Sequence, residues 1–468
     1  MVFSSLTFLF IFLPITLLIY YISKDKYKNY VLLFFSLVFY SWGEPRYIIL
    51  MILSIVLNYY FAILIDKYKR KVSLKKKLLV LTIVFNILTL FIFKYLGFFN
   101  SIFSSIFNTN NITINLVLPI GISFYTFQTL SYVIDVYRGE VKVQKNILLL
   151  ATYVTLFPQL IAGPIVRYST VEKELKKRKH SVEKFSNGLR RFIIGLSKKI
   201  IIANNMALIA DTIFNSAISN NYTGIVLILG TLAYTFQIYF DFSGYSDMAI
   251  GLGAMFGFDF LENFNYPYVS KSITEFWRRW HISLSSWFRD YLYIPLGGNR
   301  VSKAKWIRNI IIVWILTGLW HGASWNFIIW GVYFAIILLI EKLFLLEFMS
   351  KWNGFVRWLY TFILINIGWI IFRAEDLNLL LYVFKNIPNF KSLPIEAALS
   401  INYSLLNYYL YIPFAFLFSF PIFDKINKKF SSFKHYYIIE DLLYIMIFIF
   451  CICLLISNTY NPFIYFRF

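Results

Sequence analysis

Runs of about 20 apolar residues recur along this 468-residue chain, and no other feature restricts its fold so strongly. A hydrocarbon core about 30 Å thick is crossed by roughly 20 apolar residues in a helix. Spans are expected near 6–22, 30–43, 47–65, 78–93, 118–134, 223–257, 306–341, 355–372, 405–420 and 441–457. Composition excludes a water-soluble protein with a large core. Hydrophobic residues are 59% of the chain, charged residues 15%, and the mean hydropathy is +0.65. A soluble domain carries about 25% charged residues, so this chain has too little polar surface to face water. The expected fold class is all-α and polytopic: ten or more transmembrane helices in one membrane domain, since no long polar linker divides the runs. The first run, Leu6 to Ile22, lacks the basic start and small-residue cleavage site of a signal peptide and is expected to be retained.

The formal net charge of +22 does not point to nucleic acid, because the basic residues sit in short segments between apolar runs. That distribution fits loops facing the cytoplasm or an anionic leaflet of membrane lipid. Lys67, Lys69, Arg70, Lys71, Lys75, Lys76 and Lys77 mark the clearest inside loop. Counting back three spans puts the N-terminus outside and Lys24, Lys26 and Lys28 inside, in agreement. Cys451 and Cys453 lie two apart in one apolar run and so on different helix faces, which implies neither a disulfide nor a metal site.

Two stretches do not fit simple crossings. The run 146–166 has basic residues at both ends and is interrupted by Pro158, Gly163 and Pro164, which predicts a re-entrant hairpin. The run 306–341 is too long for one span and is also basic at both ends, which predicts a helical hairpin turning around Gly322 to Asn326. His321 would then lie deep in the protein. The segments 185–203 and 271–300 mix Arg and Lys with large apolar residues, a pattern expected of helices lying in the interface.

Only four histidines occur. His180 and His435 sit in lysine-rich loops. His321 follows an apolar run, in Thr317-Gly318-Leu319-Trp320-His321-Gly322-Ala323-Ser324-Trp325-Asn326. An ionisable group at membrane depth is costly unless hydrogen-bonded or functional, and imidazole suits general-base work on a hydroxyl. A structural histidine tied to a carbonyl is the alternative. Gly318 and Gly322 would let a substrate or another backbone approach closely. His281, in Trp277-Arg278-Arg279-Trp280-His281, reads by itself as a headgroup contact. Asp241 and Asp247 interrupt another apolar stretch and fit a proton relay, a cation site or, foremost, structural pairing with buried arginines. The turn Leu296-Gly297-Gly298-Asn299-Arg300 fits either a phosphate contact or a headgroup anchor.

The run Glu275-Phe276-Trp277-Arg278-Arg279-Trp280-His281-Ile282-Ser283-Leu284-Ser285, then Trp287 to Arg300, with Gly318-Leu319-Trp320-His321-Gly322, resembles the membrane-bound O-acyltransferase (MBOAT) superfamily. Tyr293-Ile294-Pro295-Leu296-Gly297-Gly298-Asn299-Arg300 favours the branch of bacterial alginate O-acetylation membrane proteins over that of teichoic-acid D-alanylation. Pro119 to Gln128, Gln159 to Ile165, Asp241 to Asp247 and Phe463 to Phe468 share the likeness, which therefore covers residue 119 to the end.

The resemblance implies one MBOAT domain over 1–468, with N-terminal spans in 1–118, a catalytic core in 119–341 and C-terminal spans in 342–468. Its helices would surround a central funnel. His321 would be the catalytic residue and His281 the second signature residue, positioning or polarising the donor. It implies no bound cofactor, but a cytoplasmic acyl donor, acetyl-CoA, drawn in by Arg278, Arg279 and Arg300. The acetyl group would pass to an extracytoplasmic SGNH-type partner and then to a polysaccharide, in a bacterial cytoplasmic membrane. Three alternatives stay open at this point: a D-alanyl or other acyl transferase, a transporter or flippase using Asp241 and Asp247, and a non-catalytic scaffold.

Overall fold

The computed structural model describes residues 1–107, 116–390, 410–430, 436–457 and 460–464, and all regular structure among them is helical. A chain in hydrocarbon must satisfy its backbone N–H and C=O groups within each segment, and helices do so. Seven of the described helices are long and apolar enough to cross a membrane: Ile48–Lys67, Val72–Phe107, Val182–Asn215, Gly224–Met255, Trp325–Met349, Gly354–Arg373 and Tyr436–Ser457. A shorter apolar helix covers Phe8–Ile22. The expected spans 30–43 and 118–134 appear as helices Lys28–Gly43 and Ile122–Arg138. Only the end of the expected 405–420 span, helix Tyr411–Phe418, and neither His435 nor 465–468 of the terminal motif lie within the described residues. Only 6% of the apolar window of Tyr436–Ser457 is buried within the protein, so its Leu, Ile and Phe side chains are available to lipid.

The chain divides into two compact units, Met1–Phe192 with Ser246–Glu262, and Ile193–Tyr245 with Asn263–Phe468. In the first, helices Ile48–Lys67 and Val72–Phe107 are joined by a reciprocal amide pair. Asn58 donates to Asn86 at 3.1 Å and Asn86 donates back at 2.9 Å. Lipid tails are as apolar as leucine, so close packing and interhelical hydrogen bonds, rather than a hydrophobic drive, hold such helices together. The run 146–166 is broken as its prolines predict: helix Ile147–Thr155 stops at Leu156, and the four-residue helix Phe157–Leu160 leads into extended chain. The broken backbone lies inside protein, with Tyr153, Phe157, Gln159 and Leu160 fully buried. Tyr153 Oη donates to the Val166 carbonyl and Ser36 Oγ accepts from the Phe157 amide. Asp247 is bound by Arg191 at 2.8 Å, and Arg191 also reaches Glu262.

The stretch 185–203 forms part of the continuous helix Val182–Asn215, which is long and apolar enough to cross a membrane. A Cβ on Gly188 would lie 2.6 Å from the Gly251 carbonyl, and one on Gly251 would lie 2.5 Å from the Gly188 carbonyl. Two helices touch backbone to backbone there, which periodicity alone does not reveal.

In the second unit, the run 306–341 folds as the predicted hairpin: helix Lys303–His321, a break at Gly322–Ser324, then helix Trp325–Ile340. Added Cβ atoms on Gly318 and Gly331 would collide with the Phe327 and Trp314 carbonyls. The glycines therefore serve the approach of another backbone. Against the hairpin's own Trp330 and Phe334, Trp280, Trp369, Phe276 and Tyr268 are buried. Asp241 pairs with a lysine, Lys199, at 2.6 Å, and not with the arginine that its setting in the sequence suggests. Lys199 also donates to the Pro462 carbonyl, and the Ile464 amide donates to Asp241 at 2.8 Å.

Candidate active site

Both singled-out histidines line one cavity of about 280 Å³ within the second unit. His321 is the last residue of its helix and is 6% exposed. Rings of Trp320, Trp330 and Phe372 pack edge-on against its imidazole at 5.1–5.2 Å. Such walls exclude water and fix the ring without adding charge.

His281 is built differently. It sits between helices Ile273–Arg279 and Ile282–Phe288 with φ +44°, in the left-handed region that side chains other than glycine rarely adopt. Such a conformation costs roughly 1–2 kcal/mol and persists where surroundings over-determine it. The clamp is visible: the Asn263 carbonyl accepts from the Ile282 amide, and the Arg279 carbonyl accepts from the Asn265 amide, both at 2.9 Å. The His281 ring meets Phe242 edge-on at 4.6 Å, and its Nδ1 lies 3.1 Å from Asn263 Oδ1. Burial, with a smaller repulsion from His321, holds the His281 imidazole well below its usual pKa, so it is neutral at pH 7.

Of the three expected donor-binding arginines, Arg278 lines the cavity. Arg279 is turned to Glu275 at 3.0 Å and to the Asn265 carbonyl, and Arg300 is exposed and is not among the lining residues. Arg289 and Lys342 complete the cationic lining. A second cavity of about 230 Å³ is lined by Phe372, Ser324, Asn326, Phe327 and Arg373 among others. A cavity flanked by two buried histidines and three cations, of which Arg289 is paired with Asp290, suits transfer chemistry on an anionic substrate. The family described as MBOAT, membrane-bound O-acyltransferase, matches residues 143–384, which contain every residue lining the first cavity.

The chain belongs to this family.

Similar proteins agree. The Probable alginate O-acetylase AlgI of Azotobacter vinelandii is 47% identical over 81% of this chain and 76% of its own length. The peptidoglycan O-acetyltransferase of Helicobacter pylori is 38% identical, covering 82% of this chain and 79% of its own length. The teichoic acid D-alanyltransferase of Bacillus subtilis is 33% identical over 52% of this chain and 63% of its own length. The chain is a multi-pass membrane O-acyltransferase of the AlgI-like branch.

Two residues of this O-acyltransferase escape sequence reasoning. Asn263 lies 18 positions from the histidine it holds and carries no local signal. Glu341 ends an apolar run, and an acidic residue there is the one available sign. Only 1% exposed, it accepts from the Ile273 and Thr274 amides at 2.7 and 2.8 Å and from Thr274 Oγ1 at 2.7 Å. It therefore caps the helix that carries Arg278 toward the cavity, where amide groups lack partners and negative charge is favoured. Glu341→Ala leaves those donors buried and is expected to cost at least about 1.5–3 kcal/mol, the worth of one hydrogen bond to a charged group. Thermal unfolding of the detergent-purified protein measures it. A variant as stable as the parent would show that water caps the helix equally well.

Proposed function

We propose that this O-acyltransferase takes an acetyl group from cytoplasmic acetyl-CoA and passes it across the membrane for O-acetylation of an extracytoplasmic polysaccharide, through an SGNH-type partner. Its place would be a bacterial cytoplasmic membrane. The observation that carries the proposal is the meeting of His321 and His281 in one cavity lined by Arg278, Arg289 and Lys342. In the reaction, an acceptor hydroxyl oxygen bonds to the thioester carbonyl carbon, the C–S bond breaks, and CoA leaves as thiolate. His321 takes the hydroxyl proton and returns it to the thiolate. Positioned bases of this kind contribute about 10²–10⁴-fold. The cations draw in an anionic donor, and His281 contacts the donor. The names of the relatives support acetyl as the group and an envelope polymer as the acceptor.

Membranes containing the protein together with an SGNH-type partner are expected to move label from [¹⁴C]acetyl-CoA to that partner or to polymer. Label moved instead from a carrier-protein thioester, with acetyl-CoA inert, would establish the D-alanyl-type alternative.

A further inference from the structure

The buried environment of His281 fixes which of its ring nitrogens carries the proton. Asn263, fully buried, aims its side-chain oxygen at three groups: the Ser283 amide at 3.2 Å, Ser283 Oγ at 2.8 Å and His281 Nδ1 at 3.1 Å. A backbone N–H can only donate, so the Asn263 atom facing it is the carbonyl oxygen and not the amide nitrogen. An oxygen there accepts from Nδ1 as well. Nδ1 is therefore the protonated nitrogen, and in a neutral ring Nε2 is left with a lone pair. That Nε2 is buried and has no hydrogen-bond partner among the described residues, while its ring lines the cavity.

We infer that Asn263 is a positioning residue that holds His281 as its Nδ1–H tautomer, so that Nε2 presents a hydrogen-bond acceptor to the cavity and receives an N–H or O–H of the bound ligand. The inference rests on the acyl-transfer reading for its consequence, not for its geometry. It removes one of the roles expected of His281. A nitrogen with a lone pair cannot polarise a thioester carbonyl, which needs a donor. His281 instead orients a ligand by one of its donor groups, and His321 is left as the group that moves the proton.

The surroundings keep the ring in that state. Facing it across the cavity are His321, Arg278, Arg289 and Lys342, and no carboxylate is among the described lining residues. Asp241, next to the Phe242 that packs on the ring, is engaged by Lys199 and the Ile464 amide. Among the described residues, nothing near the ring favours its second proton.

Nitrogen NMR of the full-length protein in nanodiscs, labelled with ring-¹⁵N histidine, reads the tautomer directly. Only four histidines contribute, and His281→Ala assigns the signal by subtraction. At pH 7 His281 is expected with Nδ1 protonated and Nε2 bare. Ser283→Ala, which leaves the Asn263–His281 bond in place, is expected to keep that pattern. Asn263→Asp puts a carboxylate against Nδ1 and is expected to raise the imidazole pKa by about 1–3 units, shifting the acidic limb of the transfer rate to higher pH by a similar amount. A merely structural Asn263 would lower the rate at every pH and leave the limb in place. Finding Nε2 protonated and Nδ1 bare in the unaltered protein would overturn the inference whether or not the variants fold. Because the tautomer is read without turnover, its failure is separable from failure of the acetyl-CoA reading, which would leave the expected NMR pattern untouched.

Discussion

Replacing His321 by alanine is expected to lower acyl transfer by about 10²–10⁴-fold, the usual loss on removing a positioned general base, with little change in membrane insertion. The imidazole ends the helix Lys303–His321, so alanine keeps helical backbone, and the Gly318–Phe327 crossing that closes the hairpin is made without it. The ring is held by Trp320, Trp330 and Phe372, whose edges leave a small cavity on truncation. His321→Gln fills that space and can hydrogen-bond, but it cannot take a proton near pH 7. It is expected to be as inactive as alanine and closer to the parent in stability. Labelled-acetyl transfer by membranes, normalised to folded protein by size-exclusion profile, checks both. Activity of the glutamine variant within a few-fold of the parent would remove His321 from the proton transfer and leave it a packing residue.

The second large effect is on stability. Lys199→Met is expected to destabilise the protein by about 3–5 kcal/mol, because it strands the Asp241 carboxylate in a site where both partners are nearly inaccessible. Their side chains are 3% and 2% exposed. The Ile464 amide still donates to Asp241, but one neutral donor does not replace an ammonium at 2.6 Å. The double variant Lys199→Met with Asp241→Leu is expected to regain most of the loss, since well-packed apolar residues often replace a buried ion pair without cost. Unfolding of purified protein by heat or by denaturing detergent gives the cycle. Additive single losses would show that the two charges do not depend on each other. The residues 460–464 enter the same measurement: Lys199 also holds the Pro462 carbonyl, so a lysine loss that releases this segment costs more than the charge alone.

Much of this protein is legible in its amino-acid sequence. The turn near Gly322 follows from a run too long for one span with basic residues at both ends. The break in 146–166 follows from Pro158, Gly163 and Pro164. Scarcity of histidine and the apolar run before it single out His321. His281 is legible only through family likeness, since a histidine among Arg and Trp looks like a headgroup contact until its burial is seen. Other features depend on packing that local sequence does not carry. The 185–203 segment has mixed polarity, and nothing local announces that its Gly188 meets Gly251, 63 positions away. Arg279 adjoins Arg278 in the sequence, yet its side chain leaves the helix in another direction and finds Glu275.

Hydropathy, charge and proline placement are local properties, and by themselves they determined an all-helical membrane protein, the positions of most of its helices and one histidine at the end of an apolar run. Only the tertiary structure decided which polar groups meet: Asn263 with His281, Glu341 with the Ile273–Arg279 helix, Lys199 with Asp241. The physical reason is that a buried polar group must find a partner, but its cost is satisfied equally by any donor or acceptor the folded chain brings within about 3 Å. Sequence reveals the need, and the crossing of helices far apart in the chain selects the partner.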